Sequence, residues 1–269
     1  MLSLRILSGV VGVPILVGVV LLGGLWLDGV YVNIYVGAGL LLVAVATLEL
    51  LAMLQAGGYH PVLPLGVALS VGIVMDAVFP GQRVLLIVLA LGTIATLAWL
   101  MLRPDWSGAL VDWALTIAPA LYVGGLLQFF IPLREMADGT FWVLTVLACS
   151  WSCDSAAYFV GRALGRTKLA PRISPAKSVE GATAGLLAAI VVGALAGLVG
   201  AHPSVRVAGL GLAVGLCTVL GDLLESFIKR QCGAKDSGVL VPGHGGILDR
   251  MDSMLLAGPG AYLYVVATS

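Results

Sequence analysis

The sequence predicts an all-α protein that crosses a membrane many times, with about nine spanning helices, a cytoplasmic N-terminus and no soluble domain of any size. Three observations predict it. Apolar residues make up 60% of the 269-residue chain and charged residues only 10%, against roughly 25% charged in an ordinary soluble domain. Apolar runs of about 20 residues, the length that crosses a bilayer as a helix, recur from one end of the chain to the other. The cations are spread unevenly between alternate loops, and such an imbalance orients a membrane protein.

The runs lie at 7–27, 31–55, 61–79, 84–102, 110–131, 140–161, 181–200, 205–224 and 251–267. The first is too long for the apolar part of a signal peptide. Leu27-Asp28-Gly29 ends it in place of a small-x-small cleavage site, so it is taken as the first anchor. The third and ninth are the shortest, and either could be re-entrant. Pro14, Pro119 and Pro259 fall inside runs, where neighbouring helices can satisfy the carbonyls that proline frees. Many of the 36 glycines lie there too and let helices approach closely. Cys149, Cys153, Cys217 and Cys232 have no CxxC spacing and read as small buried hydrophobes, not a disulfide or metal site.

With the N-terminus and Arg5 in the cytoplasm, the inner loops carry 11 of the 14 Lys and Arg. These are Arg5, Arg103, Arg162, Arg166, Lys168, Arg172, Lys177, Lys229, Arg230, Lys235 and Arg250. The outer loops carry only Arg83, Arg134 and Arg206. The opposite orientation reverses the ratio and is rejected. A net charge of zero excludes a bulk attraction to nucleic acid.

The charge is also concentrated. Nine cations lie in the two loops 162–177 and 229–250. Topology signalling accounts for them, but not for Asp154, Glu180, Asp222, Glu225, Asp236, Asp249 and Asp252, half of all the acids, gathered in or beside the same regions. Mixed charge at membrane depth is expensive and marks function. Two regions therefore separate: residues 1–135, transmembrane helices without a motif, and 136–269, a functional transmembrane region with informative segments at 150–181 and 221–253.

The second segment reads GDLLESFIKRQCGAKDSGVLVPGHGGILDRMDS. Asp222 and Glu225 stand at i, i+3, near one helix face, with Ser226 and Lys229 on the following turn. Pro242-Gly243-His244-Gly245-Gly246 is a turn able to offer backbone N–H groups to an anion. Asp249, Arg250 and Asp252 open the last span, at a helix N-terminus that favours acids and bound anions. Two or three carboxylates suit Mg²⁺, which shares hard oxygen ligands with phosphates, and Lys and Arg neutralise the remaining phosphate charge. The soluble P-loop pattern GxxxxGK[ST] is absent.

These residues resemble the signature of the phosphatidate cytidylyltransferases, the CDP-diacylglycerol synthases: S-x-x-K-R-x4-K-D, a spacer, then P-G-H-G-G-x-x-D-R-x-D. Ser226, Lys229, Arg230, Lys235, Asp236, Pro242, Gly243, His244, Gly245, Gly246, Asp249, Arg250 and Asp252 meet it within 27 residues. Asp154-Ser155-Ala156-Ala157-Tyr158, Gly161-Arg162 and Ile173 to Gly181 resemble the family's D-x-x-A-Y…G-R…S-P-x-K-T-x-E-G pattern. The likeness covers about 150–253. Val239 stands where the family often has Asn, Val241 where Leu, Ile or Phe is usual, and Ser178 replaces Thr.

The resemblance implies CTP + phosphatidate → CDP-diacylglycerol + pyrophosphate at the cytoplasmic face of the cell (inner) membrane, within phospholipid biosynthesis. It implies CTP, phosphatidate and membrane lipid as partners, no nucleic acid, and a homodimer. Asp222 and Asp249 are the expected Mg²⁺ ligands, the competing reading being helix capping or pairing with Arg250. Glu225, Asp252 and Asp154 are expected at a second cation or in structural pairs. Lys229, Arg230, Lys235, Arg250 and Lys177 are expected on phosphates, and otherwise signal topology and meet headgroups. His244 is a direct ligand or proton donor, or only shapes the turn. Ser174 and Ser226 are hydrogen-bond donors without an adjacent base, and Gly245 and Gly246 line the anion-binding turn. The catalytic set is thus Asp222, Asp249, Lys229, Arg250 and His244.

The alternatives are a polyprenol kinase, an archaeal-lipid cytidylyltransferase and, last, a cation transporter, which would show repeated halves. The pattern of CDP-alcohol phosphotransferases is not found. Among isolated polar residues, Asp76 is expected to reach water near an outer end. Glu49 could pair with a cation on a neighbouring span, a partner that the sequence does not name, and its role stays open. His60 and His202 are expected in bland polar roles near loop ends.

Overall fold

The structure, a computed structural model, describes residues 2–27, 30–238 and 245–269, with side chains over 12–24, 33–238 and 245–269. The described residues form α1 (Leu2–Leu22), α2 (Ile34–Ala56), α3 (Leu63–Val78), α4 (Val84–Met101), α5 (Ala109–Leu127), α6 (Phe130–Glu135), α7 (Gly139–Leu164), α8 (Val179–Val199), α9 (Ser204–Gln231) and α10 (Leu248–Thr268). Two small antiparallel hairpins join them, β1 (Leu25–Leu27) with β2 (Val30–Val32) and β3 (Lys168–Ala170) with β4 (Ser174–Ser178).

The fold is all-α, as expected. Among the described residues, six helices are long and apolar enough to cross a membrane: Ile34–Ala56, Val84–Met101, Ala109–Glu135, Gly139–Leu164, Val179–Val199 and Ser204–Gln231. Gly12–Leu22 and Leu63–Val78 are shorter apolar helices. α4 shows which solvent these surfaces suit. It buries Thr96 and Leu100, while Leu86, Leu91 and Ile94 are 64%, 62% and 65% exposed. A helix that is apolar all round yet largely uncovered by protein fits a lipid surround.

Several boundaries move for identifiable reasons. The expected run from 31 begins as a helix only at Ile34, because the Asn33 side chain caps it by accepting the Val36 N–H at 3.0 Å. The eighth run continues beyond 224 to Gln231, and the ninth starts at Leu248. Hydropathy marks where charge begins, but charged residues still propagate a helix. As a result Asp222, Glu225, Ser226, Lys229 and Arg230 share one helix.

The chain divides into two compact units, Met1–Ile131 with Gln231–Met251, and Pro132–Arg230 with Asp252–Ser269. In the first, α3 packs on α2, α4 and α5 through Leu69, Ile73 and Ala120, which Leu85, Val88, Leu89 and Ile117 flank. Thr47 donates to Ser70 across α2 and α3 at 2.7 Å. Asp112, buried on α5, accepts the His60 N–H at 2.7 Å and the Arg103 guanidinium at 2.9 Å, tying two loops together. His60 thus contributes its backbone. Asp76 accepts the Leu85 N–H at 2.9 Å, so it anchors the start of α4.

The second unit is built on close helix approach. α8 buries Gly181, Gly185, Ala189, Gly193 and Gly197, a residue every fourth position. A Cβ on Gly185 would stand 2.8 Å from the Cys153 carbonyl oxygen on α7, and one on Gly193 would collide with the Val207 carbonyl on α9. Contact of this kind replaces the missing hydrophobic drive between helices in lipid. The four cysteines are free thiols, and Cys149 and Cys153 are fully buried. His202 stacks on Phe141 with ring centroids 4.5 Å apart.

Candidate active site

In the second unit, residues from both informative segments meet. Lys177 lies on β4, and its Nζ is 2.6 Å from Asp222 Oδ2 on α9. Asp222 Oδ1 also accepts the Ser226 hydroxyl at 3.3 Å, one turn further along α9. Glu225, wholly buried, pairs with Lys229 at 3.2 Å. On α10, the Ser253 hydroxyl lies 3.1 Å from Asp252 Oδ1 and 3.1 Å from Asp154 Oδ2 of α7. Asp154 interacts electrostatically with Asp252, Asp222 and Lys177, and Asp252 with Asp222 and Lys229. The Gly221 position allows α9 this close to α10, since a Cβ there would be 2.5 Å from the Asp252 carbonyl oxygen.

Of the expected 162–177 loop, residues 162–164 continue α7 and residues from Lys168 on form the β3–β4 hairpin, which hydropathy could not reveal. Ser178 pairs with Lys168 across it and then caps α8, its hydroxyl accepting the Gly181 N–H at 3.1 Å. The hydroxyl kept by the Ser-for-Thr departure is therefore used. Glu180 accepts the N–H groups of Arg166 and Thr167 at 3.1 and 3.0 Å, fixing the hairpin's entry. Arg230 Nε donates to the Ile173 carbonyl at 3.3 Å. The hairpin is thus held on α9 at Asp222 and at Arg230, with Ser174 opening β4.

The rest of the second segment belongs to the first unit. Asp249 is 7% exposed, and its Oδ2 accepts the N–H of Ser237 at 2.9 Å and of Gly246 at 2.8 Å. Gly245 has φ +85°, and a Cβ there would run into the Asp249 carboxylate. This position needs glycine for both reasons. Lys235, Asp236 and Arg250 are exposed around the turn. Pro242, Gly243 and His244, with Val239 and Val241, lie outside the described residues.

The start of α10 corrects two expectations. Its leading amides do not wait for a bound anion: Glu49 of α2 accepts Ile247 N–H at 3.0 Å and Leu248 N–H at 2.8 Å. Glu49 in turn meets these backbone donors in place of a cation. Helix-terminal N–H groups carry partial positive charge, so they neutralise an acid as a cation would, and no residue type announces them in a sequence.

The donor set fits a magnesium ion. Among the described residues no three acid, imidazole or thiol groups already converge as a metal cage. Mg²⁺ does not require one, because it takes one or two carboxylates and completes its shell with water and substrate phosphate. Asp154, Asp222, Glu225 and Asp252 supply carboxyl oxygens for it beside Lys177 and Lys229.

The profile of the cytidylyltransferase family matches residues 3–268, nearly the whole chain. This chain belongs to the cytidylyltransferase family. Among members similar to it, the phosphatidate cytidylyltransferase of Synechocystis sp. is 32% identical over 97% of this chain and 96% of that protein. That of Brucella suis is 50% identical over 45% of this chain and 46% of its own length. That of Bacillus subtilis is 41% identical over 56% and 57%. In this cytidylyltransferase-family chain the residue that sequence reasoning missed is Glu49. Its signal was present, an unpaired acid inside an apolar run, but its partner was a backbone.

Proposed function

We propose that this chain transfers a cytidylyl group from CTP to phosphatidate, forming CDP-diacylglycerol and releasing pyrophosphate. The observation that carries this reading is the gathering of Asp154, Lys177, Asp222, Lys229 and Asp252 into one charged cluster of the second unit, in a chain matched by the family almost end to end.

A phosphate oxygen of phosphatidate bonds to the α-phosphorus of CTP as the bond from that phosphorus to the bridging oxygen breaks. Pyrophosphate leaves with that oxygen. The nucleophile is already an anion, so no strong base is needed, and the barrier lies in bringing two anions together. Lys177 and Lys229 supply positive charge for that encounter, and their carboxylate partners hold them in place. Asp222 and Asp252, with Asp154, would hold Mg²⁺, which when bound offsets phosphate charge and stabilises the leaving group.

The nine helices of 16 residues or more are proposed to cross the inner membrane, with the N-terminus, the β3–β4 hairpin and the 229–250 segment in the cytoplasm, because 11 of 14 cations then lie inside. CTP is dissolved there, and phosphatidate reaches the same interface from the bilayer. The homodimer belongs to the same proposal.

The test is purified protein with phosphatidate micelles, Mg²⁺ and CTP labelled at either the α- or the γ-phosphate. Label in the lipid from α-labelled CTP, with pyrophosphate released, is the expected result. Lipid labelled only from the γ-position would make the protein a kinase, and no label from either would refute lipid activation by CTP.

A further inference from the structure

We infer that Glu49 is a positioning residue for the signature segment, reaching it from a helix that carries no motif. The inference rests on the proposed cytidylyl transfer. Glu49 lies about two turns before the C-terminal end of α2, within an apolar run. A carboxylate there is costly unless it is matched. It is matched by the signature itself: Oε1 accepts Ile247 N–H at 3.0 Å, Oε2 accepts Leu248 N–H at 2.8 Å, and the Ser237 hydroxyl lies 3.5 Å from Oε2.

The surrounding glycines show how closely the segment wraps this side chain. A Cβ on Gly238 would stand 2.9 Å from Glu49 Oε1, and one on Gly246 would collide with both Glu49 and Ser237. Two turns further along α2, a Cβ on Gly57 would be 3.3 Å from Cys232 Cα. α2 and its C-cap therefore touch the segment at Cys232 and again at Ser237, Ile247 and Leu248. Asp249 holds the same turn from inside through Ser237 N–H and Gly246 N–H. Consecutive amides 246, 247 and 248 are thus all taken by protein carboxylates. Among the described residues of this turn, Arg250 and Lys235 are the exposed cations, and Glu49 is the residue that sets where Arg250 emerges.

The chemistry demands a carboxylate of this length. Two adjacent N–H groups need two acceptor oxygens. Glutamine offers one, and its NH₂ would face the other donor. Aspartate is one methylene too short to reach both amides. Asp76 provides a matched control, because it too accepts a helix-start amide, Leu85 N–H at 2.9 Å, in a part of the chain without a motif.

The experiment compares Glu49→Gln with Asp76→Asn in full-length detergent-purified protein, with Gly238→Ala as a milder disturbance of the same contact. Thermal unfolding, amide hydrogen exchange over 245–250, and kcat and KM for CTP and for phosphatidate are measured. Expected are faster exchange over 245–250 and a kcat at least tenfold lower in Glu49→Gln, with a smaller effect of the same kind in Gly238→Ala. Asp76→Asn, whose amide oxygen can still accept the single Leu85 N–H, should keep kcat within twofold. Equal kcat losses in Glu49→Gln and Asp76→Asn would make Glu49 merely structural and overturn the inference. Unchanged exchange over 245–250 in both Glu49→Gln and Gly238→Ala would overturn it as well. An inactive wild-type protein would instead refute the proposed function, and the exchange result alone would then decide whether Glu49 holds the turn.

Discussion

Replacing Lys177 with alanine tests the second-unit cluster most directly. At 2.6 Å, the Lys177 and Asp222 charges attract by about 6 kcal/mol for an effective dielectric near 20. The two side chains are 22% and 31% exposed, so desolvation and screening offset much of that attraction and leave about 1–3 kcal/mol. If this charge also faces substrate phosphate, a contact that tightens in the transition state is lost as well, and kcat/KM falls by on the order of a hundredfold. Lys168, exposed at the start of the same hairpin, should be worth under about 1 kcal/mol, or less than about fivefold. Label transfer from CTP to phosphatidate is followed for both variants at matched ionic strength, varying each substrate separately. A cycle combining Lys177→Ala with Asp222→Asn should show a coupling of about 1–3 kcal/mol. If Lys177→Ala stays within twofold of Lys168→Ala toward both substrates, the hairpin is only a topology signal and its place in a phosphate site is wrong.

Asp222→Asn should cut turnover by orders of magnitude and lower the unfolding temperature by a few degrees, because Lys177 loses its partner, and chelation should abolish wild-type activity until Mg²⁺ is restored; near-normal turnover in this variant at saturating Mg²⁺ would remove Asp222 from the site. Asp249→Asn should lower both turnover and unfolding temperature, because an amide NH₂ would oppose the Ser237 or Gly246 N–H that Oδ2 now accepts; an unchanged unfolding temperature would show that the turn does not depend on this carboxylate. Cysteines at Ala163 and Asp236, both exposed, in a background lacking the four native ones, should react with impermeant reagents from the cytoplasmic side alone, and labelling from outside sealed cells would overturn the orientation. Gly221→Ala places a methyl 2.5 Å from the Asp252 carbonyl oxygen and should destabilise by about 1–3 kcal/mol, read as lowered thermal stability in detergent; an unchanged midpoint would mean that α9 and α10 are not in close contact there.

Much of this protein was legible in its sequence, because lipid imposes simple rules on a chain. A membrane leaves backbone groups no partner except each other, so a long apolar run has to be a helix. Hydropathy alone therefore located the helices and their rough lengths. Charge is expensive at membrane depth, so the acids and cations around Asp154, Lys177, Asp222, Lys229 and Asp252 stood out before any contact was known.

The sequence could not say which charges meet. Lys177 and Asp222 are separated by an entire span and reach 2.6 Å only because a hairpin returns residues 174–178 to α9, and that hairpin depends on backbone pairing and on Glu180 accepting two amides. Nor could it pair Glu49 with Ile247 and Leu248, nearly 200 positions away. A sequence displays side-chain charge, but the positive end of a helix is made by the backbone of any residue that begins one. The chemical types at the site, and their depth, came from the sequence. Their partners and the role of the motif-free α2 came from tertiary structure, because backbone amides carry no letter of their own.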